Sequence, residues 1–531
     1  MPGSSRSIDV GRTPKFVFGL ITTLLFLATS TACTGLVNPS INADPELADT
    51  APSELPNIVI LLADDMGWND VGYYGSEIRT PNIDRLAEMG VVLNRFYAQP
   101  TCSPTRSALM TGKAPLRLGV VAPLSKNNRN GLPLEETILP EYLGDAGYQT
   151  ALIGKWHLGG RRRPFMPTER GFDYFFGNLH GGIGYWDHVH GGGYDLQRNG
   201  KTVRTKEYIT ALTGREAVHR ILTRDRERPF LLYVAFNAPH LPNEAPAETI
   251  ETYTDIDDPD RRIHAAMVSE LDRQIGAILD TLESNGLLEN TLIWFMSDNG
   301  GLMPAPSDVQ NRTDEELAAM IERGYGVPPS DQFLDFVKMN QRDAASDNSP
   351  LPGGKGTIRE GGTRVPSLIY WKGRLEGGQS DEFVTVQDVL PTLLSAVDQA
   401  EPLPDTDGRS VLDVLNGAPS DQVPDYIVQA RSSVVIRNGG ARGLNLALYR
   451  YPWKLMSLAD GSKRLFNVEV DPLESEDLAE DLPELVAELQ AALDQFPRGD
   501  DIADSYESIL ADPDLFGGME DRAPWAERLE D

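Results

Sequence analysis

Cysteine is nearly absent from this sequence: only Cys33 and Cys102 occur in 531 residues. With the first of them at the end of a leader-like segment, no disulfide framework can be built. Positive charge is also scarce, 48 Lys and Arg against 79 Asp and Glu, for a formal net charge of -31. Phosphate binding depends on Lys and Arg releasing counterions, so nucleic acid is excluded as a partner. The repulsive field of an acidic surface is screened over about 8 Å at physiological salt, so an anion site remains open to this chain only where it is locally basic. Internal repeats, heptad runs and low-complexity tracts are missing, which excludes solenoids and coiled coils. What is present, 40% hydrophobic and 24% charged residues, suits one large compact domain with a smaller companion.

The first residues have a different texture. Arg6, Arg12 and Lys15 precede an apolar run at residues 16–28, and small residues lead into Ser30-Thr31-Ala32-Cys33. The run is short of the roughly 20 residues of a membrane span, and the pattern is that of an export signal. It resembles a bacterial lipoprotein signal, with Ser30 where leucine is usual. That resemblance implies lipidation of Cys33 and an exported protein at the periplasm or cell surface, as an outer-membrane lipoprotein with a lipid anchor. Residues 34–55, rich in Pro, Ala, Asn and acidic residues, are expected to be a tether.

From residue 56 short apolar runs alternate with helical patterns. Residues 57–63, 149–154, 230–236, 291–296 and 367–371 are expected to be buried strands. Residues 258–284 place Ile263, Met267, Leu271, Ile275, Ile278, Leu279 and Leu282 at helical spacing, with Asn285-Gly286 as the stop. This is an α/β pattern, spanning residues 56–420. Residues 302–352 are polar, without strand pattern, and read as an insertion of the kind that shapes binding sites. Residues 421–531 change to alternating segments at 426–430, 453–458 and 464–468 and a helix near 482–496, a small C-terminal α+β subdomain.

Polar residues follow each proposed strand: Asp64-Asp65, then Lys155-Trp156-His157, then Asn237-Ala238-Pro239-His240, then Ser297-Asp298-Asn299-Gly300. In open parallel sheets ligands bind outside the carboxyl ends of strands, so these distant segments are expected to converge. Asp64, Asp65, Asp298 and Asn299 offer oxygen ligands only, which suits a hard, calcium-like cation. Taken singly, each is equally compatible with a turn or a helix cap.

The most specific segment is Cys102-Ser103-Pro104-Thr105-Arg106, followed by Thr111-Gly112-Lys113. It resembles the C-x-P-x-R signature of type I, formylglycine-dependent sulfatases and its T-G-[RK] continuation. Further matching motifs follow in order, Ala63-Asp64-Asp65, Gly154-Lys155-Trp156-His157-Leu158-Gly159, Pro239-His240, Ser297-Asp298-Asn299-Gly300 and Gly354-Lys355-Gly356-Thr357 through Glu360-Gly361-Gly362, and the resemblance covers about residues 56–495. Asp65 to Gly72 and Arg79-Thr80-Pro81-Asn82-Ile83-Asp84 look most like the arylsulfatase B branch.

The resemblance implies an alkaline-phosphatase-like fold, a large mostly parallel sheet flanked by helices. It implies conversion of Cys102 to formylglycine by a separate maturation enzyme, and one Ca2+ ion held by Asp64, Asp65, Cys102, Asp298 and Asn299. It further implies that Arg106 and Lys155 hold the hydrated aldehyde, that His157 takes the proton that starts sulfate expulsion, and that His240, helped by Lys355, protonates the leaving alkoxide. Sulfated carbohydrates are the expected substrates. His180, His188 and His190 lie in a Gly-rich, Trp-containing stretch and are candidates for touching substrate, His188 and His190 foremost, while Arg161-Arg162-Arg163 reads as a solvated loop. Two other readings stay open: a phosphodiesterase or phosphonate-ester hydrolase on the same scaffold, and an inactive relative that binds glycans.

Overall fold

The computed structural model describes residues 55–190, 193–304, 310–325, 328–397, 405–419, 423–431, 443–503 and 524–531. Cys33, the export signal and nearly all of the tether lie outside the described residues. Among those described, no helix is long and apolar enough to cross a membrane.

The central sheet has ten strands: β1 (Asn57–Ala63), β2 (Val91–Leu93), β3 (Gln149–Lys155), β4 (Tyr174–Asn178), β5 (Gln197–Arg198), β6 (Lys201–Thr202), β7 (Phe230–Ala235), β8 (Thr291–Ser297), β9 (Ser367–Trp371) and β10 (Gly378–Ser380). Their spatial order is β10-β2-β9-β8-β1-β7-β3-β4-β5-β6. The run β8-β1-β7-β3-β4 is parallel, and the antiparallel pairings lie toward the two edges. The sheet is thus large and mostly parallel, and all five strands expected from the sequence are present.

The central strands are apolar without interruption because both faces are covered. On β1, Ile58, Ile60 and Leu62 enter one core and Val59, Leu61 and Ala63 the other. On β8, Trp294 and Met296 go with the first set, Ile293 and Phe295 with the second. Register puts Ile60 between Tyr233 and Trp294, so the strands of the parallel run are aligned and end at one edge. The helix Pro259–Ser284 covers the second face, starting at Asp258, whose carboxylate accepts from the backbone N–H of Asp260 and Arg261. The helix Cys102–Thr111 lies on the first face, every residue of it buried.

A second, antiparallel sheet comprises Tyr426–Arg431, Leu444–Arg450, Trp453–Ser457 and Lys463–Asn467, with the helix Pro483–Gln495 on one side. Its other side packs Val428, Ala447, Tyr449 and Phe466 against Tyr97, Ile358 and Phe383 of the main domain. Residues 302–352 contain two helices, Asp314–Tyr325 and Asp331–Arg342, and no strand among the described residues.

Candidate active site

The carboxyl ends of β1, β3, β7 and β8 deliver Asp64 and Asp65, Lys155, His240, and Asp298 with Asn299 to one place. β3 can end beside β7 only because residue 154 is glycine: at φ 111° an added Cβ would stand 1.9 Å from the Ala235 carbonyl oxygen. Asp65 (φ 68°) and His157 (φ 60°) are left-handed although neither is glycine. Such strain is retained where the surroundings over-determine it, commonly at functional sites.

Cys102 opens its helix in the middle of this group, and its thiol donates to Asp64 Oδ1 at 3.6 Å. Lys155 Nζ donates to Asp64 Oδ2 at 2.6 Å, and Lys355 Nζ to Asp65 Oδ2 at 2.7 Å. Arg106 donates through Nε (3.1 Å) and a terminal nitrogen (2.8 Å) to Asp298 Oδ2, and through its other terminal nitrogen to the Lys155 carbonyl at 2.8 Å. Lys155, Arg106, Asp64 and Asp298 are wholly enclosed, so each charge depends on its partners to survive burial.

The field inside the cluster follows from burial and neighbours. Burial, then the charge of Asp298, pushes Asp64 up to about 7 against the pull of Lys155 and Arg106. Burial also opposes the charge of Asp65, but Lys355, His240 and Lys155 outweigh it and hold that carboxyl below its usual range. Burial pushes the Cys102 thiol up to about 12, with Lys155 and Lys355 opposing.

The two nearest histidines are neutral. Burial first, then Lys155 and Arg106, drives His157 well below its ordinary value. Its Nε2 lies 3.0 Å from the Leu124 carbonyl, which can only accept, so Nε2 carries the hydrogen and Nδ1 is the acceptor. That Nδ1 is buried, with no hydrogen-bond partner among the described residues. Burial and Lys355 bring His240 down to about 3 despite Asp65. Its Nδ1 donates to the Leu241 carbonyl at 2.6 Å, leaving Nε2 3.6 Å from Asp65 Oδ2.

A cation fits this donor set. Ligating atoms of Asp64, Asp65, Cys102 and His240 lie within 4.8 Å of one another. Asn299 donates through Nδ2 to Asp65 Oδ1 at 2.7 Å, while its Oδ1 is buried and has no partner among the described residues. A buried carbonyl oxygen orphaned beside carboxylates is what a hard cation requires. Asp298 is more committed: Oδ2 serves Arg106 and Oδ1 accepts from the Asp65 N–H at 3.2 Å.

The two foremost candidate substrate histidines part company. Gly182 has His240 and His190 on its open side, so His190 stands at the cluster. His188 is fully buried with Nδ1 3.3 Å from the Tyr194 hydroxyl, and Thr205 and Glu207 are its other neighbours. Its backbone is left-handed (φ 57°) just before the strand Val189–His190. Arg161-Arg162-Arg163 is no free loop: Arg161 Nε is 2.9 Å from Glu530 and Arg163 Nε is 3.1 Å from Asp531.

Sequence reasoning named His180 but missed its partner: His180 Nδ1 lies 2.9 Å from Asp195 Oδ2 beside the cluster, with the Trp525 ring 4.4 Å from the His180 ring. The signal for His180 is the apolar Tyr174-Phe175-Phe176 ending in Gly177-Asn178, which is β4 and ends at the same sheet edge.

Comparison with known proteins identifies the family. The Sulfatase family profile matches residues 56–399. Mouse arylsulfatase J is 32% identical over 513 residues, covering 87% of this chain and 79% of that one. Rat N-acetylgalactosamine-6-sulfatase is 34% identical over 386 residues, covering 68% of this chain and 65% of that one. The crystal structure of Ps i-CgsB in complex with k-i-k-neocarrahexaose superposes with a TM-score of 0.72 at 28% identity, covering 86% of this chain and 96% of that one. A profile match over most of the chain, together with a relative of this identity and coverage, shows that the chain belongs to the sulfatase family and is a sulfuric ester hydrolase.

Proposed function

We propose that this enzyme releases sulfate from a sulfated carbohydrate, using a formylglycine made from Cys102 and a bound Ca2+ ion. The observation that carries the reading is the state of Cys102. Its thiol lies among Lys155, Lys355 and Arg106, yet burial holds it protonated at neutral pH, so the unmodified residue is a poor nucleophile where an oxyanion is best received. Sγ marks the position of the formylglycine hydrate, whose two hydroxyls supply one nucleophile for sulfur and one group that expels sulfate as the aldehyde re-forms.

The residues around it divide the remaining work. Asp64, Asp65, Asn299 and Asp298 would hold calcium, whose charge polarises the sulfuryl oxygens. Lys155 and Lys355 place fixed positive charge at the same oxygens, and preorganised charge of this kind is usually the largest contribution to catalysis. Arg106 keeps Asp298 and the Lys155 backbone in place. His157 Nδ1, unprotonated and unpartnered, accepts the proton that starts sulfate expulsion. His240 Nε2 takes up a proton from solvent once the anionic ester offsets Lys355, and passes that proton to the leaving alkoxide. His190 stands close enough to touch the sugar.

A carbohydrate substrate is supported by the relatives, one named for N-acetylgalactosamine-6-sulfate chemistry and one crystallised with a neocarrahexaose. The lysines weigh against a two-metal phosphoesterase, since they take the place of the second cation. The signal-like leader supports export, with Cys33 as lipid attachment.

Replacing Cys102 with Ala should abolish hydrolysis of an aryl sulfate and leave the melting temperature within a few degrees of the parent. Mass spectrometry of protein made with the maturation enzyme should find the aldehyde at residue 102. Normal turnover by Cys102→Ala, or an intact thiol in active material, would refute the mechanism.

A further inference from the structure

Two loops leave the catalytic centre side by side. One runs from Leu124, which accepts from His157, to Gly131, which packs on Leu158 and Phe165. The other runs from His157 through Arg163. Their outer parts carry Arg129 and Arg161, a local concentration of guanidinium groups in a chain of net charge -31.

Residues 524–531 lie against both loops. Trp525 is buried, and its Nε1 donates to the His190 carbonyl at 3.0 Å. Glu530 N donates to the Arg161 carbonyl at 3.0 Å, and Arg163 N donates to the Glu530 carbonyl at 2.7 Å. The Glu530 side chain then stands between two guanidinium groups, Oε1 2.9 Å from Arg161 and Oε2 2.6 Å from Arg129. A carboxylate of the protein thus sits in a basic notch on the same C-terminal segment whose Trp525 reaches His190, and His190 flanks Gly182 together with His240.

We propose that the notch between Arg129 and Arg161 is an accessory oxyanion subsite, taking a second sulfate or carboxylate of the same glycan, and that Glu530 holds it until substrate arrives. This rests on the sulfatase reading above. The exchange is physically cheap. Side chains in these pairs are 26% to 69% exposed, a range in which solvent screens most of an ion pair's net contribution. Guanidinium groups receive planar or tetrahedral oxyanions through two donors at once, so a sulfate replaces the carboxylate without rebuilding the notch. The backbone bonds of Glu530 to Arg161 and Arg163 do not depend on its side chain and keep the segment in place during the exchange.

The test uses full-length, aldehyde-bearing enzyme and three kinds of substrate: an aryl sulfate, a neutral disaccharide with one sulfate, and that disaccharide with either a second sulfate or a uronate carboxylate. Glu530→Gln should lower KM for the doubly anionic sugars by about threefold or more, and the double replacement Arg129→Ala with Arg161→Ala should raise it about tenfold at unchanged kcat. KM for the two singly anionic substrates should stay within about twofold in both variants. A response to the second sulfate alone, or to the uronate alone, identifies which oxyanion the notch takes. Equal shifts on all substrates, or none on the doubly anionic ones, overturn the subsite while leaving the sulfatase reading intact. If the wild-type enzyme frees no sulfate from any of them, the sulfatase reading falls first and this inference with it. Since Glu530→Gln keeps every backbone bond, it answers the question even if the double arginine variant fails to fold.

Discussion

Gly181 has no side chain because the His157 ring leaves no room for one: an added Cβ would lie 2.7 Å from its Cε1 and 2.8 Å from its Nε2. The Nε2 hydrogen bond to Leu124 is what frees Nδ1 to accept a proton, so a push on the ring acts on the catalytic tautomer. Misplacing a reacting group by about 1 Å can cost about 10²-fold. Gly181→Ala should therefore lower kcat on an aryl sulfate by about tenfold or more with little change in KM, and a variant with parental kcat would show that the ring tolerates the shift. Asp64, Lys155, His157, His240 and Asn299 could be picked out from the sequence because each follows an apolar run that can only be a buried strand. His180 also follows such a run, but its pairing with Asp195, like that of Trp525 with His190, could not be read, because those partners meet through loops that carry no local periodicity.

At the scale of elements, Asp70 joins three parts of the chain. Its carboxylate accepts from Arg261 and from His264 (3.0 Å) on the helix Pro259–Ser284, from the Gly67 N–H (2.8 Å), and from the Asp347 N–H (3.1 Å). Through Asp347 it holds the end of the 302–352 segment where Ser346 Oγ donates to the Asp65 carbonyl at 3.2 Å. Burial opposes the charge of Asp70, but His264 and Arg261 overcome it and hold the carboxyl below its ordinary 3.8. A carboxylate depressed in the folded state stabilises above the unfolded value and loses that contribution as pH falls through the window below it. Asp70→Asn should destabilise by about 1–3 kcal/mol at pH 7, because Arg261 keeps Glu77 and the Ala345 carbonyl but loses its buried carboxylate. Melting temperatures of the two proteins should converge as pH drops below about 4, whereas a gap independent of pH would mean that Asp70 acts through packing alone.

Elements differed in how openly the sequence announced them. Strands buried on both faces, such as β1 and β8, are continuous apolar runs and stand out. The helix Ile209–Leu222 does not, since Ile209, Thr210, Thr213, Gly214 and Val218 have weak helix propensity, and packing beside the helix Pro259–Ser284 in one core decides its form. The strand Leu444–Arg450 is obscured for another reason. Leu446 and Leu448 enter one core and Ala447 and Tyr449 another, so the alternation that marks a half-buried strand is lost.

For the molecule as a whole, the metal question is one of charge placed at depth. Asp64, Asp65 and Asp298 bring three carboxylates from two strand ends into a space shared with Lys155, Lys355 and Arg106, all within a strongly acidic chain. Strands β1 and β8 are neighbours, so a cation on Asp64, Asp65 and Asn299 would tie together loops that the unfolded chain keeps more than 200 residues apart, as the Asp65–Asn299 separation of 234 shows. Binding to the folded state alone adds about 2.7 kcal/mol when free ion exceeds its dissociation constant 100-fold. Exhaustive chelation should therefore lower the melting temperature by a few degrees together with activity, and calcium should restore both. Magnesium should restore less, because it demands stricter octahedral geometry and gives up water reluctantly, while these ligands form an irregular set of carboxylates, an amide and residue 102. An unchanged melting curve with full turnover after chelation would leave the charge at the reacting sulfate to Lys155 and Lys355 and remove the metal from the mechanism.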